Sequence, residues 1–210
     1  MTDHRAAADA TLVRIEAAGA AIAQIADAVR RHAPMVAERD EPFFEAAVAL
    51  VLRASPRGEV ELLMIERATR ADDPWSGQIA LPGGRHDATD ASLEYTAVRE
   101  TLEETALDLA RAGAVIGALD EIRPRSPLLP PVIVRPFVAT IAGDVAIAPS
   151  DEVASHFWVP LPELFAPSAS RETEIFVRGF RMRRDAIHYK GHVIWGMTEH
   201  ILRHFERVIR

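Results

Sequence analysis

The stretch from Leu81 to Asp90 constrains this chain most, because its Pro-Gly-Gly segment interrupts both helices and strands. The two glycines, Gly83 and Gly84, permit positive φ angles and close approach of the backbone to a ligand. Asp90 then stands where a helix N-cap is expected, and good helix formers follow it. The sequence therefore predicts a glycine loop that leads into the N-terminus of a helix.

The predicted helix ends in a cluster of carboxylates. On a helical wheel, Glu100, Glu103 and Glu104 share an arc of about 100°, since residues three and four apart are neighbours. The other side of the helix is predicted to carry Tyr95, Val98, Leu102, Thr105 and Ala106. Clustered carboxylates repel one another, and a divalent cation that prefers oxygen ligands, Mg²⁺ or Mn²⁺, would offset the repulsion. The alternative is a solvated acidic face that binds nothing.

Loop and helix together suit a diphosphate. A glycine loop before a helix N-terminus favours anions. Carboxylates one or two turns later favour the metal ion that accompanies phosphates. The pattern thus predicts a pyrophosphate site, with the metal held by the three glutamates.

From Gly84 to Ala106 the sequence resembles the box of the Nudix family, Gly-x5-Glu-x7-Arg-Glu-U-x-Glu-Glu-x-Gly-U, where U is aliphatic. The matching residues are Arg99, Glu100, Glu103 and Glu104. Asp90 replaces the first glutamate, and eight residues instead of seven separate it from Arg99. Thr101 replaces the aliphatic residue, and Ala106 replaces the late glycine. The acidic core of the box is intact.

Three segments resemble the coenzyme A pyrophosphatase branch of this family. They are the Gly-Gly-x-x-Asp-x-x-Asp start of the box, Gly77-Gln78-Ile79 before it, and Ile194-Trp195-Gly196 near the end. The resemblance implies a metal-dependent hydrolase that cleaves the diphosphate of coenzyme A or its derivatives to 3′,5′-ADP and 4′-phosphopantetheine. Two alternatives stay open. One is a Nudix hydrolase of ADP-ribose or another nucleotide derivative, and the other is a non-catalytic module that binds nucleotide.

The resemblance also implies roles for the acidic residues and for the arginine of the box. Glu100, Glu103 and Glu104 are the implied ligands of Mg²⁺ or Mn²⁺, and Arg99 is expected to orient carboxylates. Glu103 and Glu152 are the two candidates for the catalytic base. Glu152 lies in a segment similar to a Nudix loop near the active site, whereas a lone loop glutamate is ordinarily surface.

Substrate phosphates are expected to contact the glycines and the arginines on the flanking loops. The candidates are Arg67, Arg70, Gly83, Gly84 and Arg85. Arg67 and Arg70 have an alternative interpretation as solvated loop charges. The loop that contains Trp75 is expected to help form a groove for the pantetheine arm.

An alanine-rich segment, residues 6–32, is predicted to form a helix that ends before Pro34. Its apolar stripe consists of Leu12, Ile15, Ile22, Ile25 and Val29. We expect this helix to pack on the domain, and the alternative is a dimerisation helix in a homodimer. The residues of this stripe offer no group suited to phosphate or metal.

The remaining elements alternate between strands and helices. Buried runs at 45–53 and 60–66 predict a hairpin around Ser55-Pro56-Arg57-Gly58, and Pro136 predicts an edge or a bulge in the strand at 132–139. The element order and the resemblance imply an α/β fold, a Nudix-type α/β/α sandwich with a mixed central sheet. We expect an N-terminal helical extension, residues 1–34, added to a Nudix hydrolase domain, residues 35–210.

Composition narrows the classes of partner. The net charge is −7, and residues 1–170 hold 15 basic and 26 acidic residues, which argues against nucleic-acid binding. The absence of cysteine excludes disulfides and thiolate metal sites, and the eight histidines show no paired ligand spacing. No apolar run reaches the length of a membrane span. The expectation is a cytoplasmic enzyme with a small-molecule nucleotide substrate and no membrane partner.

Overall fold

The structure, a computed structural model, describes residues 19–40, 42–70, 75–124, 131–177 and 179–210. The helices are α1 (Ala20–Arg31), α2 (Leu93–Thr105), α3 (Leu109–Ala112), α4 (Leu161–Leu164) and α5 (Gly196–Ile209), with a 3₁₀ turn at Pro167–Ala169. The strands are β1 (Phe44–Ala54), β2 (Val60–Arg67), β3 (Ile79–Ala80), β4 (Gly83–Arg85), β5 (Gly113–Ala118), β6 (Val132–Ile141), β7 (Val153–Pro160), β8 (Ser170–Val177), β9 (Phe180–Tyr189) and β10 (His192–Trp195). Among these helices, none is both long enough and apolar enough to cross a membrane.

The central sheet is mixed. Its strand order is β3-β2-β1-β6-β5, with β4 paired to β1 and β7 paired to β2. β1 and β6 run parallel, and the other pairs in this sheet are antiparallel. A separate antiparallel sheet has the order β10-β9-β8.

Alternation along β1 divides the core into two layers. Ala47, Ala49 and Val51 point to the face that α2 and α3 cover. Leu50 and Leu52 point to the opposite face, which is covered by α1, α5 and the three-stranded sheet. Helices therefore lie on both sides of a mixed sheet, and the predicted α/β/α sandwich is confirmed.

α1 belongs to the main hydrophobic core. Ile22, Ala26 and Val29 are almost completely buried there, so the helix packs on the domain. The described helix begins at Ala20 after Gly19, and its last residue is Arg31. The predicted stripe residues Leu12 and Ile15 lie outside the described residues.

Pro136 lies in β6, between β1 and β5, so the predicted edge position is wrong. Its carbonyl accepts a hydrogen bond from the Leu119 N–H at 2.9 Å. The N–H and C=O of a strand residue point to the same side of the strand. The ring nitrogen of Pro136, which carries no N–H, therefore faces the end of β5, just beyond Ala118. The register irregularity lies in β5, between Val115 and Gly117.

Candidate functional site

The helix that carries the acidic residues begins later than the sequence predicts. Its N-cap is Ser92, whose hydroxyl accepts a hydrogen bond from the Tyr95 N–H at 3.1 Å. The predicted cap, Asp90, is instead a buried residue that binds the side of the helix. Its Oδ1 and Oδ2 accept from Nε and Nη2 of Arg99, each at 2.9 Å, and Oδ2 also accepts from the Thr96 hydroxyl at 2.8 Å.

Asp90 and Arg99 keep each other charged. The hydrogen bonds from Arg99 hold the pKa of Asp90 well below its usual range, and Asp90 raises the pKa of Arg99. The remaining nitrogen, Nη1 of Arg99, lies 2.9 Å from Oε1 of Glu100 and 2.9 Å from Oε2 of Glu103. Asp90 thus fixes one edge of the guanidinium, and the other edge is presented to two of the three carboxylates.

Glu104 is the most buried of the three carboxylates, with 5% of the residue exposed. Its Oε2 accepts a hydrogen bond from the Gly83 N–H at 2.9 Å. Burial nevertheless raises the pKa of Glu104 to about 7, and the charges of Glu100 and Glu152 act in the same direction. The ionised carboxylate is therefore destabilised in the absence of a cation.

The glycines are part of a strand instead of a free anion-binding loop. Gly83 and Gly84 lie in β4, paired to β1, and the Gly83 N–H is used by Glu104. A Cβ at Gly83, where φ is +150°, would lie 2.3 Å from the Ala47 carbonyl oxygen. A Cβ at Gly84 would lie 2.5 Å from the carboxyl carbon of Glu100. The two glycines allow β4 to lie against β1 on one side and beside Glu100 on the other.

Glu152 and two arginines lie beside this acidic group. The Glu152 carbonyl accepts a hydrogen bond from the Ala68 N–H at 2.8 Å, and Oε1 of Glu152 lies 3.3 Å from Nη2 of Arg70. The charge of Glu152 raises the pKa of Glu100 as well as that of Glu104, and the charge of Arg67 lowers the pKa of Glu104. The fold therefore brings Arg67, Arg70 and Glu152 to the carboxylates of α2.

Two other predicted site residues, Arg85 and Glu103, have contacts of their own. The guanidinium of Arg85 stacks over the Phe44 ring, 3.7 Å from its centroid. Glu103 has a side chain that is 56% exposed and bonded to Arg99. In the described part of the chain, the three ligand-type side chains with donor atoms within 4.8 Å of one another are a different set: His32, Asp120 and His204.

The wheel orientation predicted for α2 is wrong in part. Tyr95 and Leu102 are exposed by 53% and 44%, whereas the buried positions are small or polar. These buried residues are Thr96, Ala97, Thr101, Glu104 and Thr105. Small side chains let the helix approach the sheet closely, and the threonine hydroxyls bond carbonyls of their own helix.

Both late departures from the box pattern are accommodated. The buried Thr101 hydroxyl donates to the Ala97 carbonyl at 2.7 Å, so a polar group replaces the aliphatic one without losing a hydrogen bond. Ala106 takes the left-handed conformation of the glycine, with φ of 57°, and its N–H donates to the Leu102 carbonyl at 2.8 Å. The helix therefore ends as the pattern requires, at the cost of some backbone strain.

The structure also reveals contacts that the sequence did not indicate. The role of Asp90 was missed because its partner Arg99 is nine residues away, and a single loop aspartate carries no signal of that pairing. The Trp75 ring lies 6.5 Å from the Trp195 ring, which joins the segment before the box to the C-terminal segment.

Comparisons with known proteins identify the domain. A family model described as the NUDIX domain matches residues 43–179. An uncharacterized Nudix hydrolase, NudL of Yersinia pestis, is 33% identical over 165 residues, which cover 78% of this chain and 79% of that protein. An uncharacterized protein of Schizosaccharomyces pombe is 38% identical over 118 residues, 54% of this chain but only 36% of that protein's length. A MutT/nudix family protein from Enterococcus faecalis shares the fold, with a TM-score of 0.54, 19% identity and coverage of 89% of this chain and 74% of that one.

Proposed function

The chain belongs to the Nudix family and is a hydrolase of pyrophosphate bonds, and from this premise we propose that its substrate is coenzyme A or a derivative. The proposed reaction releases 3′,5′-ADP and 4′-phosphopantetheine. The observation that carries the proposal is the meeting of Trp75 and Trp195. Trp75 lies two residues before Gly77-Gln78-Ile79, and Trp195 lies within Ile194-Trp195-Gly196, two of the three segments that resemble the coenzyme A branch. In addition, β3, which follows Trp75, lies against β10.

The acidic residues fit a divalent cation with a preference for oxygen. Burial raises the pKa of Glu104, and the neighbouring negative charges of Glu100 and Glu152 add to this effect, so a cation bound there would favour the ionised carboxylate. We propose that Glu100, Glu103 and Glu104 hold Mg²⁺ or Mn²⁺. When bound, the cation would neutralise charge on the phosphoryl oxygens and lower the pKa of a water molecule.

The chain's own residues would orient the carboxylates and accept a proton. Arg99, anchored by Asp90, holds the carboxylates of Glu100 and Glu103 in place, which makes it a positioning residue. Glu103 and Glu152 are both more than half exposed, and the charge of each acts on Glu100, so each can accept the proton of an attacking water. The two remain alternative bases.

Arginines near the carboxylates supply positive charge for the substrate. We propose that Arg67 and Arg70, which lie next to Glu104 and Glu152, contact phosphates. The Gly83 N–H already donates to Glu104. We propose that the two glycines act through their lack of a side chain, which leaves space for the diphosphate beside Glu100. Arg85 would have to leave the Phe44 ring to take part.

A substrate panel tests the proposal. We expect a higher kcat/KM for coenzyme A than for ADP-ribose with Mg²⁺ or Mn²⁺, and a rate for the 3′-dephospho form that is lower by about ten- to a hundredfold. This is the loss expected when one bidentate phosphate contact worth roughly 1.5–3 kcal/mol is removed. A clear preference for ADP-ribose would assign the enzyme to another nucleotide derivative.

Arginine variants separate the 3′-phosphate contact from general electrostatics. Arg70→Ala should reduce kcat/KM for coenzyme A more than for the 3′-dephospho form. The control is Arg57→Ala, because Arg57 is an exposed arginine in the turn between β1 and β2. Equal losses on both substrates would remove Arg70 from the 3′-phosphate contact.

A further inference from the structure

We propose that His32, Asp120 and His204 form a second metal site, selective for a transition ion such as Zn²⁺, that ties α1 and α5 to the edge of the central sheet. His32 caps the C-terminus of α1, Asp120 follows the edge strand β5, and His204 lies on α5. No residue of the Nudix box takes part. The inference is therefore independent of the proposed substrate.

The donor atoms are already gathered. Nε2 of His32 lies 2.8 Å from Oδ1 of Asp120, and Nε2 of His204 lies 3.5 Å from Oδ2 of the same carboxylate. The three donor atoms all lie within 4.8 Å of one another. Ligand bonds of about 2.0–2.2 Å in a tetrahedron separate donors by roughly 3.3–3.6 Å. Small side-chain rotations would therefore admit an ion between them.

The donor set selects against the cation expected at the carboxylates of α2. Two imidazoles and one carboxylate suit Zn²⁺ and related transition ions, whereas Mg²⁺ prefers oxygen ligands alone. Excess Mg²⁺ should consequently leave the His32–Asp120–His204 group free.

Neighbouring groups orient the Asp120 carboxylate and leave the ligand side chains accessible to an ion. The Met35 N–H donates to Oδ1 of Asp120 at 2.9 Å, which is the kind of outer contact that orients a ligand. The Asp120 N–H also donates to Nε2 of His204, but at 3.4 Å this bond is long and would be given up to an ion. The ligand side chains are 12–21% exposed, so they are sheltered but reachable.

An open cavity of about 660 Å³ adjoins the two histidines and has room for a fourth ligand. It is also lined by Arg31, Arg207 and Arg210. Their charge favours an anionic fourth ligand, such as hydroxide, which would offset the repulsion between these arginines and the ion. The structure thus supplies three protein ligands, an oriented carboxylate and an entry path.

Titration with Co²⁺ in the presence of excess Mg²⁺ tests the site on the full chain after treatment with a chelator. We expect one equivalent to bind with the visible absorption of a tetrahedral ion, and Zn²⁺ to displace it. His204→Gln and Asp120→Asn should each weaken binding at least about 100-fold, more than the loss of an outer contact causes. His200→Gln is the matched control, because His200 is exposed one turn earlier on the same helix.

Thermal melting gives a second measurement that does not depend on the spectrum. At a Zn²⁺ concentration about 100 times Kd, the wild-type Tm should rise by roughly 5–10 °C, and the Tm of the two ligand variants should not. Melts without metal show whether the variants fold. The proposal is overturned if no ion binds, if binding survives in both ligand variants, or if Glu103→Gln or Glu104→Gln abolishes the Co²⁺ spectrum.

Discussion

Glu104 combines burial, a backbone hydrogen bond and neighbouring negative charge in a single carboxyl group. Its pKa is raised from the ordinary 4.5 to about 7, so the folded state binds this proton more tightly than the unfolded state. The stabilisation is complete below about pH 4.5 and is lost as the pH rises through about 7. The shift corresponds to roughly 3 kcal/mol.

We therefore expect the contribution of Glu104 to the free energy of unfolding of the metal-free protein to decrease between about pH 4.5 and 7. Glu104→Gln should flatten this dependence, because the amide keeps an acceptor for the Gly83 N–H but does not ionise. Urea unfolding at several pH values in the presence of a chelator measures the effect. Glu103→Gln, at an exposed position, is the control expected to retain the slope, and an unchanged slope in Glu104→Gln would contradict the assignment.

Alanine substitutions at Gly84 and Gly83 should have different effects, the first on the Mg²⁺ dependence of hydrolysis and the second on folding. Gly84→Ala should fold, because the three atoms nearest to its Cβ belong to the movable end of Glu100. The displaced carboxylate should raise the Mg²⁺ concentration required for half-maximal hydrolysis by at least about tenfold, as does the loss of a contact that orients a ligand. Gly83→Ala would place its Cβ against backbone atoms of Ala47 and Val48, and we expect it to unfold or to express poorly.

Activity at graded Mg²⁺, with circular dichroism of each variant, distinguishes the two glycines. A Gly84→Ala enzyme with the wild-type Mg²⁺ dependence would show that Glu100 does not hold the ion.

At the scale of elements, α2 shows what a hydrophobic wheel can and cannot predict. The carboxylates were placed on one helix correctly, because their spacing fixes their relative angles. The buried face of α2 was not placed correctly, because threonines whose hydroxyls donate to carbonyls of the same helix pack as well as aliphatic residues. The long buried strands β1 and β2 could be predicted from continuous apolar runs, whereas the central position of Pro136 depends on where β5 ends.

The C-terminus of α2 offers a stabilising substitution. Ala106 has a φ of 57°, which an L-residue adopts at a cost of about 1 kcal/mol, whereas glycine adopts it freely. Ala106→Gly should raise the free energy of unfolding by about 0.5–1 kcal/mol after the greater entropy of unfolded glycine is considered.

Chemical denaturation measures this gain, and kcat should remain unchanged because Ala106 lies beyond the carboxylates. Ala110→Gly, inside the short helix α3, is the opposite control and should destabilise by about 1 kcal/mol. A destabilised Ala106→Gly would mean that the methyl group packs favourably enough to outweigh the strain.

At the scale of the whole molecule, α1 and the Nudix domain share one hydrophobic core, although the sequence indicated an extension and a separate domain. We propose that residues 1–34 are an extension added to a Nudix domain of residues 35–210, in keeping with a family match that begins at residue 43. α1 nevertheless shares one core with β1, β2 and α5. The His32–Asp120–His204 group could not be predicted, because 88 residues separate Asp120 from His32 and 84 separate it from His204. The packing of α1 on both β5 and α5 brings the three residues together.

The last prediction concerns what α1 contributes. Ile22 is completely buried in the main core, so Ile22→Ala should lower the free energy of unfolding by about 2–5 kcal/mol. Gln24→Ala is the control on the same helix, since Gln24 is exposed and should change stability by less than about 0.5 kcal/mol. Below the melting transition, kcat/KM of both variants should match the wild type, because no α1 residue lies among the carboxylates and arginines of the Nudix site. Denaturation curves and initial rates at a temperature where both variants are folded measure the two effects separately. A folded Ile22→Ala enzyme with a large loss of kcat/KM would show that α1 shapes the active site through the shared core.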